Sequence, residues 1–217
     1  MRSYNEYCAI AKSLDVVGDR WTLLIVRELA ERGACRYTDL RNGLPGIASN
    51  LLAERLRELE HADVIVREDA PPPIATTLFR LTPRGEQLRP VLDGLTRWGV
   101  PLMIEQGPND AVRSHWLAAA LELMLTDRQP DAAPVTIALQ TGDQPITIEI
   151  RDGLIRARLV DGEGADATLA GPASPIMGLL LGRLDVADAD ARGVTFEGDS
   201  AILDRIGAKL TTAAAPT

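Results

Sequence analysis

The stretch from Arg36 to Leu81, RYTDLRNGLPGIASNLLAERLRELEHADVIVREDAPPPIATTLFRL, constrains this chain more than any other. It predicts a short polar helix from Tyr37 to Asn42 and a turn containing Gly43, Pro45 and Gly46. A longer helix follows over about Ser49 to Ala62. Two strands come next, Val64 to Glu68 and Thr76 to Leu81, around a tip rich in proline. Tyr37, Leu40 and Leu44 fall at spacings of three and four, so they face inward. Leu52, Leu56 and Leu59 form the buried stripe of the second helix. Ile47 precedes that stripe, and Val64 and Val66 extend it into the first strand. The prolines stiffen the tip and keep it from pairing as a sheet edge.

Helix, turn, helix and a two-stranded wing is the order of a winged helix-turn-helix. In that module the N-terminal turn of the second helix enters the major groove of DNA. The outward face of that helix carries Ser49, Asn50, Ala53 and Arg57, and the small and polar residues at its start are suited to base edges. Arg36, Thr38 and Arg41 are placed for flanking phosphates. Arg55 is open either to a phosphate or to Glu54 and Glu58 on its own helix. No arginine lies at the wing tip, so Thr76 and Arg80, with Arg67, are the wing's candidates.

Upstream, Ala9, Ile10, Leu14, Val16 and Val17 make a helical stripe over Tyr7 to Val17, ended by Gly18. Asp19 is the expected N-cap of a second helix, Arg20 to Glu31, whose Trp21, Leu24, Ile25 and Leu29 pack inward. Downstream, Thr82 caps a helix with Pro83 at its first position. That helix is expected to reach about Met103 with a kink at Pro90. Its apolar stripe (Leu88, Val91, Leu92, Leu95, Trp98, Leu102) exceeds what one small domain needs, so part of it should meet another subunit.

Charge separates the two halves. Residues 1–104 hold 14 Lys+Arg and 14 Asp+Glu, whereas residues 105–217 hold 9 and 17, so the net −8 belongs to the second half. A neutral first half can still bind DNA if its arginines share a face. We therefore expect two domains, 1–106 for DNA binding and dimerisation and 107–217 for a ligand. No apolar run reaches the ~20 residues of a membrane span. The N-terminus lacks a signal layout, and two cysteines give neither a disulfide framework nor metal-ligand spacing. The expectation is a cytoplasmic protein with free thiols, no cofactor, no metal and no membrane partner. His61 and His115 have no nucleophile or ligand partner in sequence, so no catalytic residue is expected and an enzyme is the weakest reading.

In the second half Gly107 to Asp110 reads as a linker, and Ala111 to Leu125 as a helix with Val112, Trp116, Ala119 and Leu123 near one face. The period then becomes two over Val135–Leu139, Ile146–Ile150 and Leu154–Val160, with Asp152-Gly153 as a hairpin turn. Asp166–Ala170 is a fourth strand and Val194–Gly198 a last one. Pro172 to Leu184 is an almost wholly apolar helix. A final helix capped by Asp199 or Ser200 turns Ile202, Leu203, Ile206 and Leu210 inward. The fold class is α+β.

Two resemblances follow. The run LDVVGDRWTLLI from Leu14, together with RYTDL from Arg36, LPGI from Leu44, LAERLRELE from Leu52, LTPRG from Leu81 and the segment from Pro90 to Gly99, resembles HxlR-type transcriptional regulators over residues 5–103. The resemblance implies a homodimer joined by the first and last helices of the domain, bound to a two-fold double-stranded operator, more often as a repressor. This chain departs from the family where its recognition helix starts, with Ala48-Ser49-Asn50 in place of a Ser-Pro-Lys-like start. Residues 112–211 resemble the sterol-carrier-protein-like fold through Asp152-Gly153, the segment from Ala165 to Leu169, the segment from Leu181 to Leu184 and the segment from Val194 to Asp199. That implies a tunnel for a small apolar effector, and Ile176, Leu179, Leu180, Leu184, Ile202 and Ile206 are the lining candidates. The apolar helix equally suits a closed core. Some HxlR-type proteins sense oxidants through a cysteine near the N-terminus, and Cys8 matches that position. The alternatives are thus a thiol-sensing regulator through Cys8, with Glu6 opposing its thiolate, or a lipid-binding module that does not bind DNA.

Overall fold

The computed structural model describes residues 3–69, 76–103, 106–107 and 109–209, and it divides into two compact units, Met1–Gly94 and Leu95–Thr217. The first begins with α1 (Ala9–Val17) and α2 (Thr22–Arg32). A two-residue strand β1 (Cys35–Arg36) leads into α3 (Tyr37–Gly43) and α4 (Ser49–His61). The wing is β2 (Ile65–Asp69) and β3 (Thr77–Leu81), and the three strands lie in the order β1-β3-β2, all antiparallel. The segment 70–75, the proline-rich tip, lies outside the described residues. Then come α5 (Pro83–Glu86), α6 (Arg89–Gly99) and a 3-10 turn, Val100–Leu102.

The core of this unit joins Ile25, Val26 and Leu29 of α2, Leu40 of α3, Leu44 just after α3, the inner stripe Leu52, Leu56 and Leu59 of α4, and Ile65, Phe79 and Leu81 of the sheet. The inward residue of β2 is Ile65, while Val66, expected inside, is half-buried. The expected turn glycines do two different jobs. Gly46, with φ 88°, makes the turn. Gly43 is the last residue of α3 and is buried, and a Cβ there would lie 2.2 Å from the Glu28 carboxylate. It allows α3 to close on α2.

Two expectations at helix ends are corrected. Asp19 does not cap α2. The cap position is Trp21, in the left-handed region at φ 80°, and the Asp19 carboxylate is taken by Arg55. The helix after Thr82 is not continuous. Thr82 Oγ1 accepts from the Gly85 N–H at 3.0 Å as expected, but α5 ends at Glu86 and α6 restarts at Arg89. Pro90 has no N–H for the Glu86 carbonyl, so the break falls one turn before the proline.

The second unit, which starts at Leu95 within α6, continues with α7 (Ser114–Met124), β4 (Leu125–Asp127), β5 (Val135–Gln140), β6 (Ile146–Arg151), β7 (Leu154–Arg158) and β8 (Ala167–Ala170). It continues with α8 (Ala173–Leu180), α9 (Val186–Asp190), β9 (Thr195–Gly198), α10 (Ala201–Arg205) and β10 (Ile206–Ala208). Five strands form a sheet in the order β7-β6-β5-β8-β9, antiparallel except for β5 beside β8. Alternation puts Ile137, Leu139, Ile146, Ile148, Ile150, Ile155 and Leu169 on one face, where they meet Leu117 and Leu121 of α7 and Ile176 and Leu180 of α8. The Asp152-Gly153 turn has positive φ at both residues, 52° and 78°, as a two-residue hairpin loop requires.

Three helix ends differ from expectation. The first helix stops at Met124, and Leu125–Asp127 becomes a strand. The apolar helix stops at Leu180, where Gly182 at φ 67° turns the chain, so Leu184 lies beyond it. The final helix stops at Arg205, because residues 206–208 pair with β4, Gly207 opposite Thr126. Ile206 is therefore a strand residue, and Leu210 lies outside the described residues. A bidentate pair fixes this corner: Arg205 Nε and Nη2 each donate to the Asp127 carboxylate at 2.8 Å, with both side chains almost fully buried.

Candidate nucleic-acid interface

The exposed end of α4 is set by what lies beneath it. Leu52, Leu56 and Leu59 are 0, 3 and 1% exposed, which turns Ser49, Asn50 and Arg57 outward and leaves Ala53 half-buried between them. The Tyr37 hydroxyl donates to the Ser49 carbonyl at 2.7 Å, tying the start of α4 to α3. Arg36 at the N-cap of α3, and Thr38 and Arg41 on it, are exposed, and the Arg36 backbone N–H donates to Asp39 Oδ2 at 2.9 Å. Arg57 Nε donates to the Ala53 carbonyl at 3.1 Å. Among the described residues no carboxylate pairs with the guanidinium of Arg36, Arg41 or Arg57. The arrangement is a small polar patch with uncommitted arginines beside it, which is what contact with base edges and phosphates needs.

The remaining candidates are not placed this way. The Arg55 side chain is only 12% exposed, and its guanidinium faces Asp19, Glu58 (2.6 Å) and Glu54 (3.3 Å). Of the two uses open to it, the structure shows ion pairing, and it adds Asp19, which sequence spacing could not supply. Arg80 Nε donates to Glu68 Oε2 at 2.9 Å in a bidentate pair, and Arg67 lies 3.8 Å from Glu60. Arg80 holds the Glu68 carboxyl below the usual carboxylate value, chiefly by that hydrogen bond. Thr76 is half-buried just before β3. Both described wing arginines therefore face acids. Glu68 stands opposite Leu78, one alternation from Arg80, so the pair is legible only once the hairpin register is known.

Cys8 is exposed at the N-cap position of α1. The backbone N–H groups of Ala11 and Ile10 hold its thiol below the ordinary cysteine value, so the first turn of the helix, rather than Glu6, governs it. Cys35 is buried, and burial pushes its thiol up.

In the second unit Ile176, Leu179, Leu180 and Ile206 are buried in one core, and Ile202 and Leu184 are half-buried. Two open clefts lie elsewhere in this unit. One of about 340 Å³ is lined by Gln140 to Pro145 and Asp161, and one of about 370 Å³ involves Gln106, Asp110 and the start of α8. Neither contains any of the six candidates. Among the described residues no cluster of His, Cys, Asp and Glu could hold a metal, and no helix is long and apolar enough to cross a membrane.

Comparison with known proteins matches residues 16–106 to the HxlR-like helix-turn-helix family. The uncharacterised HTH-type transcriptional regulator YvaP of Bacillus subtilis (strain 168) is 33% identical over 95 residues, 43% of this chain and 87% of that protein. The HTH-type transcriptional regulator YodB of the same organism is 30% identical over 95 residues, 43% of this chain and 84% of that protein. A solved structure of reduced YodB covers 43% of this chain and 92% of its own, at 29% identity and a TM-score of 0.39.

Proposed function

We propose that this chain, which belongs to the HxlR-like helix-turn-helix family of transcriptional regulators, is a homodimeric repressor that binds a two-fold operator and responds to a small apolar effector in its sterol-carrier-like second half. DNA binding comes with the family. The observation that carries the proposal is the face of α4, where Ser49, Asn50 and Arg57 are exposed beside Arg36 and Arg41, with no acid committed to those arginines among the described residues.

Dimerisation is supported by apolar side chains that the described residues leave open. Tyr7, Ile10 and Leu14 are 107, 72 and 42% exposed at α1, and Val91, Leu95, Trp98 and Leu102 are 46, 46, 73 and 68% exposed along α6 and the turn after it. The spacing of four and three puts Val91, Leu95 and Trp98 on one face of α6. A dimer joined there sets two recognition helices about 34 Å apart, one turn of B-DNA. The sterol-carrier-like reading of the second unit is supported by its mixed sheet backed by the apolar α8. An effector would have to open the packing of Ile176, Leu179 and Leu180, and it acts only by binding one arrangement of the dimer better than the other. The role is non-enzymatic.

Footprinting on DNA upstream of the protein's own gene tests this. The expected result is a protected site of two half-sites that weakens steeply with salt. Uniform, sequence-independent protection, or none, would sink the operator reading.

A second reading rests on Cys8, whose thiol is exposed at the N-cap position of α1, where a helix start favours the thiolate. Under it, oxidants release the protein from DNA and Cys8→Ser abolishes that release. Under the effector reading the substitution changes nothing.

A further inference from the structure

Arg55 lies on the recognition helix, yet its surroundings are wrong for a DNA contact. Asp19, Glu54 and Glu58 surround one guanidinium, so the locality is net negative, and the side chain is 12% exposed. A phosphate would have to displace three carboxylates from it.

What Arg55 does reach is distant in sequence. Asp19 is 36 residues away, in the short junction between α1 and α2. That junction is strained: Trp21, a bulky residue, holds φ 80°. Such a backbone persists only where its surroundings over-determine it. They do so here. The Trp21 ring packs on the first core, lies under the Arg20 guanidinium at 5.6 Å, and comes within 3.9 Å of where a side chain on Gly46 would begin. One end of the junction therefore meets the turn before α4, and the other end holds α4 through Arg55.

Resting on the DNA-binding reading above, we infer that Arg55 is a positioning residue, which through Asp19 fixes the angle at which α4 presents Ser49, Asn50 and Arg57. It acts on DNA through the helix it holds and makes no contact of its own.

The two roles predict opposite signs for one variant. If Arg55 touched DNA, Asp19→Asn would free it and remove a repelling charge, and binding would tighten. As a positioning residue it loses its anchor, and operator binding weakens. The full-length protein is titrated on the fragment that footprinting shows it to protect, and on a scrambled duplex of equal length, each across a salt series. Asp19→Asn is expected to bind the protected fragment about tenfold more weakly, with the scrambled duplex within about twofold and the salt slope unchanged. Arg55→Lys keeps the charge but loses the planar fork, and should fall in the same way. Arg57→Ala, removing an outward arginine, should instead lower the slope by about one on both duplexes. Arg55→Ala leaves three carboxylates facing one another and can fail to fold, so the test stands on the other two variants. Asp19→Asn binding as tightly as wild type, or Arg55→Lys retaining full affinity, overturns the inference while the wild-type footprint keeps DNA binding intact. A wild-type protein that protects no fragment removes the DNA-binding reading, and the positioning role goes with it.

Discussion

The recognition helix and the wing belong to one small domain and treat arginine in opposite ways. On α4, Arg57 is exposed and its Nε donates to a backbone carbonyl. On the wing, Arg80 is also exposed but is gripped by both oxygens of Glu68, and Arg67 stands near Glu60. Exposure alone does not make an arginine available to phosphate; the carboxylate beside it decides. The lesson extends to the second domain, where Arg205 is paired and buried as well. Arg57, Arg80 and Arg205 thus span a range from uncommitted to wholly committed, and the predictions test that order from its most costly end.

Breaking the Asp127–Arg205 pair should cost most. Removing one partner of a buried bidentate pair leaves an uncompensated charge, so Arg205→Ala is expected to lower the stability of the second domain by about 3–5 kcal/mol, read by denaturant unfolding. The pH dependence has a definite sign. The Arg205 hydrogen bonds hold the Asp127 carboxyl below its ordinary value, with the Gln129 N–H assisting. The pair's contribution is therefore fully present above the unfolded carboxylate value of about 3.9 and is lost as pH falls through the lower folded value. Asp127→Asn should differ from wild type at neutral pH and converge with it in strong acid. A constant difference down to pH 2 would show that the pair is not what is being titrated.

The next effect is on DNA. Asn50→Ala removes a side chain placed for a base edge and should cost about 1–3 kcal/mol on the operator, with relaxed preference at one position. Arg57→Ala should weaken operator and random DNA alike. If Asn50→Ala weakened both equally, its role would be phosphate binding rather than readout.

These contrasts were unevenly legible in the chain. The stripe Leu52, Leu56, Leu59 and the polar face opposite it follow from helical period alone, and both stand in the structure. The wing strands were legible to within a residue, because alternation and proline mark them. The partner of Arg55 was not, since Asp19 lies 36 residues away and reads locally as a helix cap. In the second domain the period-two strands were clear. Leu125–Asp127 and Ile206–Ala208 were not, because each is three residues long and continues a helical stripe until pairing claims it. The short α9 did carry a signal in Asp185, whose carboxylate accepts the Asp188 N–H at 2.7 Å, a capping pattern that the sequence displays. The lining proposed for an effector rested on apolarity, and apolarity does not distinguish a tunnel wall from a packed core.

The smallest effects belong to the wing, and they sharpen the comparison most. Arg80→Ala should change operator affinity by less than about twofold, because a paired arginine has little charge to offer a phosphate. Glu68→Gln reverses the situation: the side-chain shape is kept, but the charge is gone and the amide NH2 cannot accept from the guanidinium, so Arg80 is released. That variant should bind random DNA a few-fold more tightly at low salt, with the slope steeper by up to about one. Its thermal midpoint should barely move, since an exposed pair of this kind contributes about 0–1 kcal/mol. The two variants must therefore differ in sign as well as size. If Arg80→Ala weakened binding as much as Arg57→Ala does, Glu68 would not be neutralising it, and the wing would have to be counted with α4 as part of the DNA-binding surface.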